Sequence, residues 1–249
     1  YHHLTAMRLY YEGLGLDFSA AIWKLTAVAN AEENGQPLDN AFFSPMGIDG
    51  PFAAPNLIAI GQGSQTDFAY DSDVFNHEFG HYVSNHEIGY NLGQGNFDEL
   101  GLSPWSGSID EGIADYFACS KADDAELGEA SLGLLGATRD LTDISKTCPD
   151  DMIGEVHADG ELVGSFAWSL RTALGAQAAD QLVWGSLSSM PVGGDFNDFA
   201  QGVLATAEDL VTTGALDAGD LETIDALMAD RGLDQCGRVI PVAEGGAAR

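Results

Sequence analysis

The stretch Asn76-His77-Glu78-Phe79-Gly80-His81 constrains this chain more than any other. Two histidines four apart on a helix lie about 40° apart around its axis, with Cβ atoms roughly 5–6 Å from one another. Both imidazoles then reach a single metal ion, which they do only if the segment is helical. Glu78, one residue on, stands at the edge of the same face. It is close enough to take a proton from a water on that ion, yet turned away from ligating it. Asp71-Ser72-Asp73 is good helix-start chemistry, so the helix is expected from about Asp73 to about His86. A chance match of H-E-x-x-H is the competing explanation, and a third ligand decides between them.

A catalytic zinc takes three protein ligands and one water. The metzincin arrangement fails here: the position of its third histidine is Glu87, and its glycine is replaced by Ser84. His86 lies about 140° off the ligand face. Glu111 is the better candidate. Ser108-Ile109-Asp110-Glu111 opens a second helix, expected from Ile109 to about Lys121, and Asp115 lies one turn further on the same face. A carboxylate there can accept the free N–H of a ligating histidine and fix its tautomer. A capping box between Ser108 and Glu111 is the alternative reading of that pair.

With 45% hydrophobic residues in 249, the chain can bury a sizeable core and is expected to be globular. Its 39 acidic against 9 basic side chains give a formal charge of −30. Such a surface repels phosphate backbones and anionic lipid, so nucleic acid and membrane are poor partners. The same acid excess is what proteins adapted to high salt carry, because salt screens self-repulsion. No apolar run approaches the ~20 residues of a membrane span. The chain opens at Tyr1 without a signal-type segment, and is read as a mature or trimmed domain of a longer precursor, monomeric. Of three cysteines, Cys148 and Cys236 sit in turn-like contexts and are expected to pair. Cys119, in the apolar run Tyr116-Phe117-Ala118-Cys119, is expected to be buried and free. Three reduced thiols is the alternative.

Along the chain, residues 2–13 read as a helix ended by Gly13 and Gly15, and 18–30 as a strand of ambiguous period. Asn34-Gly35 marks a turn, and Asn40–Phe43 and Leu57–Ile60 read as strands. A Gly/Asn-rich loop after Gly89, through Asn91, Gly93, Gly95 and Asn96, is long enough to be a lid. Beyond the second helix, helices are expected over Leu127–Leu135, Glu161–Leu174, Ala178–Leu187, Asp195–Glu208 and Leu221–Asp230. Asp195-Phe196-Asn197-Asp198 lacks the glycine of an EF-hand loop and reads as an N-cap. Ala243-Glu244-Gly245-Gly246 reads as a linker.

His77-Glu78-Phe79-Gly80-His81 followed by Asp110-Glu111-Gly112-Ile113-Ala114-Asp115 resembles the gluzincin metallopeptidases, in particular the thermolysin and fungalysin branch. The opening helix, Asn40-Ala41-Phe42-Phe43 and Glu155-Val156-His157-Ala158-Asp159-Gly160-Glu161 are similar to further stretches of that family, so the resemblance covers roughly residues 1–175. It implies an α+β, two-lobed fold. Residues 1–89 would form a mixed lobe with the substrate-binding edge strand and the H-E-x-x-H helix, and 90–249 a helical lobe. It implies a secreted zinc endopeptidase in which His77, His81 and Glu111 hold zinc, Glu78 is the base and Asp115 orients a histidine. His157 would stabilise the oxyanion, and the backbone at Asn40 and Ala41 would bind an extended polypeptide. Asp73 stands where the family places a calcium-binding aspartate, and Asp123 and Asp124 are further calcium candidates. Their alternative is a helix cap at Asp73 and two solvated carboxylates. The family's arginine is not located by motif; Arg171 is a candidate, and Tyr90 a weak one for a second oxyanion donor. An aminopeptidase, or a non-catalytic secreted binding module, are the rival functions.

Overall fold

The computed structural model describes residues 1–47, 54–89, 96–98, 101–103 and 105–237, with 96–98 and 101–103 as backbone only. Tyr90, Asn91, Gly93 and Gly95 of the expected loop, and the 243–246 tail, lie outside the described residues. Helix α1 (His2–Gly13) forms where the apolar stripe places it and buries Met7 and Tyr11. The strand expected over 18–30 begins late, as β1 (Thr26–Glu33), because Asn56 holds the preceding chain in a turn. Its amide donates to the carbonyls of Ile22 (2.8 Å) and Lys24 (3.1 Å). Asn34 and Gly35, both at positive φ, lead into β2 (Gln36–Pro37). Strands β3 (Ala41–Ser44) and β4 (Leu57–Gly61) follow.

The sheet order is β2-β1-β4-β3, with β1 and β4 parallel and β3 antiparallel on the outside edge. Central β4 is buried at every position, as a strand covered on both faces must be. Helix α2 (Ser72–Ile88) lies against this sheet. Asp71 caps it by accepting the Asp73 N–H at 3.0 Å, and Gly89 ends it in the left-handed region at φ 70°. A short hairpin, β5 (Asn96–Asp98) and β6 (Gly101–Ser103), precedes α3 (Trp105–Ala122). Helix α3 starts four residues before the predicted Ile109. Ser108 is therefore inside the helix and Glu111 beyond its first turn, which removes the capping-box reading of that pair.

The expected helix over 127–135 is also absent. Gly128 and Gly136 take positive φ, and the segment folds as turns between two short antiparallel strands, β7 (Glu126–Leu127) and β8 (Arg139–Asp140). Helix α4 (Val156–Leu174) begins five residues earlier than expected, capped by the Glu155 side chain. Helices α5 (Ala176–Ser189), α6 (Phe196–Thr213) and α7 (Ala218–Arg231) complete a mixed α+β fold. Asp195 is the predicted N-cap, in a reciprocal capping box with Asp198. One buried cluster runs from Met7 and Ile58 through Phe79, Phe117 and Phe166 to Phe199 and Ile224, so the strands and the C-terminal helices share a core. Cys148 and Cys236 form the expected disulfide, across 88 residues, and Cys119 is buried and free. Among the described residues, no helix is long and apolar enough to cross a membrane.

Candidate metal centre

Small residues bring the three helices of the site together. A Cβ on Gly80 of α2 would stand 2.8 Å from Ala114 Cα on α3. On the adjoining face of α3, a Cβ on Gly160 of α4 would stand 2.9 Å from Glu111 Cβ. Backbones at this separation leave no room for larger side chains. The consequence is that His77 and His81 from α2 meet Glu111 from α3, while the first turn of α4 carries His157 to the same place.

The ligand atoms form a small triangle. His77 Nε2 lies 2.8 Å from His81 Nε2 and 3.3 Å from Glu111 Oε2, and His81 Nε2 lies 3.7 Å from Glu111 Oε2. All three residues are buried, and among the described residues they are the one group of His, Cys, Asp or Glu side chains able to hold a metal ion. The donor chemistry fits: both Glu111 oxygens are buried without a hydrogen bond, with Arg139 no nearer than 3.7 Å to Oε2 and His157 3.4 Å from Oε1, and Glu78 Oε2 is likewise without one. Buried carboxylate oxygens in that condition are costly unless a cation meets them. Two imidazole nitrogens and one carboxylate, with a buried carboxylate alongside, are a ligand set for a divalent metal with an open position.

Each histidine is braced from behind. His77 Nδ1 stands 2.7 Å from Asp115 Oδ1, at ion-pair distance but off the hydrogen-bond direction. Asp115 in turn receives Arg139 at 2.6 and 2.7 Å. His81 Nδ1 lies 2.9 Å from Asp110 Oδ2, and Ser84 Oγ donates to Asp110 Oδ1. Burial alone would lower the His77 pKa, but Asp115 and Glu111 raise it to about 10. Burial pushes Glu111 up, yet His81, His77 and His157 outweigh it and hold the carboxyl well below the usual range. Glu78 moves the other way: burial dominates and raises it, against His77, His81 and the Phe43 backbone N–H.

The remaining expected residues are placed as follows. Asn40 and Ala41 line the cleft with His77, Glu78 and His157. Antiparallel alternation turns the backbone of Ala41 and Phe43 outward from β4, and the Ala41 N–H is taken by Asn40 Oδ1 at 2.9 Å. His157 is half exposed, with Nδ1 2.7 Å from Glu155 Oε1 and Nε2 3.4 Å from Glu111 Oε1. Its brace is Glu155; Asp159 instead accepts the backbone N–H groups of Ile153 and Gly154. His86 bonds Asn56, off the ligand face as its spacing requires.

The calcium candidates do not meet one another as a metal-binding group among the described residues. Asp73 Oδ2 accepts the Gly128 N–H at 3.2 Å, Asp123 pairs with Arg171, and Asp124 accepts the Glu126 N–H. That pairing keeps Arg171 on Asp123, beside the Trp168 ring.

Arg139 was not legible as a site residue. It reaches the centre because β7 and β8 pair, setting Leu127, expected in a helix over 127–135, opposite Arg139. Leu127, Leu132, Phe68 and Val74 form an apolar wall of the same cleft. Of these only Val74 carried a signal, one turn before His77. Neither a comparison with protein-family models nor one with characterised proteins returns a match for this chain.

Proposed function

We propose that this centre belongs to a metal-dependent hydrolase. The observation that carries the reading is the pairing of a His–His–Glu ligand triangle with a separate buried carboxylate, Glu78, whose Oε2 has no protein partner. A metal site that only stabilised a fold would have no chemical need of Glu78 and would be closed by a fourth ligand.

More particularly, we propose a secreted zinc endopeptidase of the thermolysin and fungalysin kind. Residues 1–89 would supply the edge strand and the ligand helix, and 90–249 the third ligand and His157. When bound, zinc supplies a Lewis acid and an acidified water. Glu78 takes the proton and hands it to the leaving amine; burial raises its pKa toward that task, while His77, His81 and, less strongly, the Phe43 N–H favour the charged form. His157, oriented by Glu155, donates from Nε2 to the developing oxyanion. An extended peptide adds to the outer edge of β3, meeting the outward Ala41 carbonyl and replacing Asn40 Oδ1 on the Ala41 N–H. Phe68, Val74, Leu127 and Leu132 receive an apolar side chain beside the scissile bond. The Cys148–Cys236 bridge supports secretion.

Casein hydrolysis with and without a chelator, alongside elemental analysis, tests the reading. Glu78→Gln should keep zinc and lose activity, and Glu111→Ala should lose most of the zinc. A wild-type protein that binds zinc stoichiometrically yet leaves casein and a panel of unfolded polypeptides intact would sink the peptidase assignment.

A further inference from the structure

The two histidines are braced by different chemistry. Behind His77 the chain of contacts ends on a cation, because Arg139 donates to both oxygens of Asp115. Behind His81 it ends on a hydroxyl. Asp110 Oδ2 faces His81 Nδ1 at 2.9 Å, and Asp110 Oδ1 accepts from Ser84 Oγ. His81, Asp110 and Ser84 are each about 1% exposed, and among the described residues no lysine or arginine stands within ion-pair distance of Asp110. A buried carboxylate without a cation depends on its hydrogen bonds, and here it has two kinds of partner, one on each oxygen.

The connectivity matters as much as the distances. Ser84 is three residues after His81 on α2, hence on the same face, and its oxygen also lies 3.2 Å from the His81 carbonyl. Asp110 sits on α3 immediately before Glu111. The contact Ser84–Asp110–His81 therefore leaves α2, crosses to the helix that bears the third ligand, and returns to α2. It fixes the rotation of one imidazole and the register between the two ligand-bearing helices at once.

We propose that Ser84 is a positioning residue for His81, acting through the Asp110 carboxylate that braces it. The Ser84 hydroxyl locks one oxygen of Asp110, so that the other holds the His81 proton on Nδ1 and leaves the Nε2 lone pair facing His77 Nε2 and Glu111 Oε2. The proposal rests on the reading of His77, His81 and Glu111 as metal ligands. It adds that the third member of this chain, a serine with no contact to the ligand atoms, sets how tightly the metal is held.

The test uses zinc itself on the whole chain, with affinity from chelator competition and dissociation rate from transfer to excess chelator, beside the melting temperature of the metal-free protein. Asp110→Asn keeps the shape and removes the charge, and should weaken zinc binding by about 10–100-fold. Ser84→Ala should weaken it near the lower end, about tenfold, with faster release, while Ser84→Thr restores a hydroxyl and should return affinity to within about threefold of wild type. Equal affinities for the alanine and threonine variants, with only the melting temperature changed, would mean packing alone and overturn the proposal. If Asp110→Asn does not fold, the Ser84 pair decides by itself. Wild-type protein that fails to bind zinc would instead overturn the metal centre, a separate result from normal wild-type binding with indifferent variants.

Discussion

Gly112 and Gly160 face each other where α3 crosses α4, so closely that a Cβ on Gly112 would lie 2.4 Å from the Gly160 carbonyl oxygen and 2.6 Å from Val163 Cβ. Neither neighbour is the mobile end of a side chain, so the helices themselves would have to part. Gly112→Ala should therefore destabilise the fold by about 1–3 kcal/mol or more. Because Glu111 precedes Gly112, zinc affinity should fall in the folded fraction as well. Gly219→Ala, where an added Cβ meets nothing within 4 Å, is the control and should be neutral or stabilising by about 0.5–1 kcal/mol. Urea unfolding of both variants checks the contrast; a Gly112→Ala protein as stable as wild type would show the crossing to be looser than the structure has it.

Asp73 gives a pH-dependent prediction. Burial, with Asp71 and Glu129 nearby, raises its pKa from 3.8 to about 6, although the Gly128 N–H favours the charged form. A carboxyl whose folded pKa is raised binds its proton more tightly in the folded state, so its contribution is stabilising at low pH and is lost as pH rises from about 4 to about 6. Asp73→Asn keeps an oxygen for Gly128 without the charge. It should raise stability by about 1–3 kcal/mol above pH 7 and change little at pH 4. If Asp73 were a calcium ligand, the same substitution would lower the melting temperature in millimolar calcium, and melts at the two pH values with and without calcium separate the two roles.

How much of this was legible follows from what each residue depends on. His77, His81 and Glu78 were readable because their meeting needs one helix and a four-residue spacing. Glu111 and Asp115 were readable because they share a face of a second helix; the resemblance to gluzincins then joined the two. Arg139 was not readable, since it arrives through a two-residue strand pairing across turns at Gly128 and Gly136, where apolar Leu127, Leu132, Leu134 and Leu135 imitate a helical stripe. The same error hid Leu127 and Leu132 as cleft walls. Ser84 and Asp110 were in view as residues, but their bond depends on the depth at which α2 and α3 interlock, which Gly80 and Ala114 set and no periodicity reports. The expected start of α4 at Glu161 falls late for a local reason: the Glu155 side chain caps the helix by accepting the Ala158 N–H.

The charge balance predicts a response to salt. With 39 acidic and 9 basic side chains, carboxylate self-repulsion acts over the whole surface. The screening length falls from about 8 Å at 0.15 M to about 3 Å at 1 M, shorter than most spacings between surface charges. The melting temperature should therefore rise with NaCl at fixed calcium and zinc, most steeply below about 1 M. A flat or falling curve would show that the acid excess does not strain the fold.

His157 is the residue whose role the geometry frames most sharply. It is half exposed, so burial does not explain it as a packing residue, and both ring nitrogens face carboxylates, Glu155 at 2.7 Å and Glu111 at 3.4 Å. Glu155 also caps α4 by accepting the Ala158 N–H at 2.8 Å, so the carboxylate that orients the ring is itself held rigidly. A donor aimed at charge that develops only during the reaction contributes about 2.7–4 kcal/mol, so His157→Ala should lower kcat by about 10²–10³-fold with little change in KM. Its zinc content should equal that of the wild type, because the ligand triangle does not include it. Glu155→Gln, which keeps an acceptor for the Ala158 N–H but weakens the hold on Nδ1, should give a smaller loss in kcat with the same zinc content. Near-normal turnover by a folded, zinc-loaded His157→Ala protein would remove His157 from the reaction and leave it as the outer partner of Glu111.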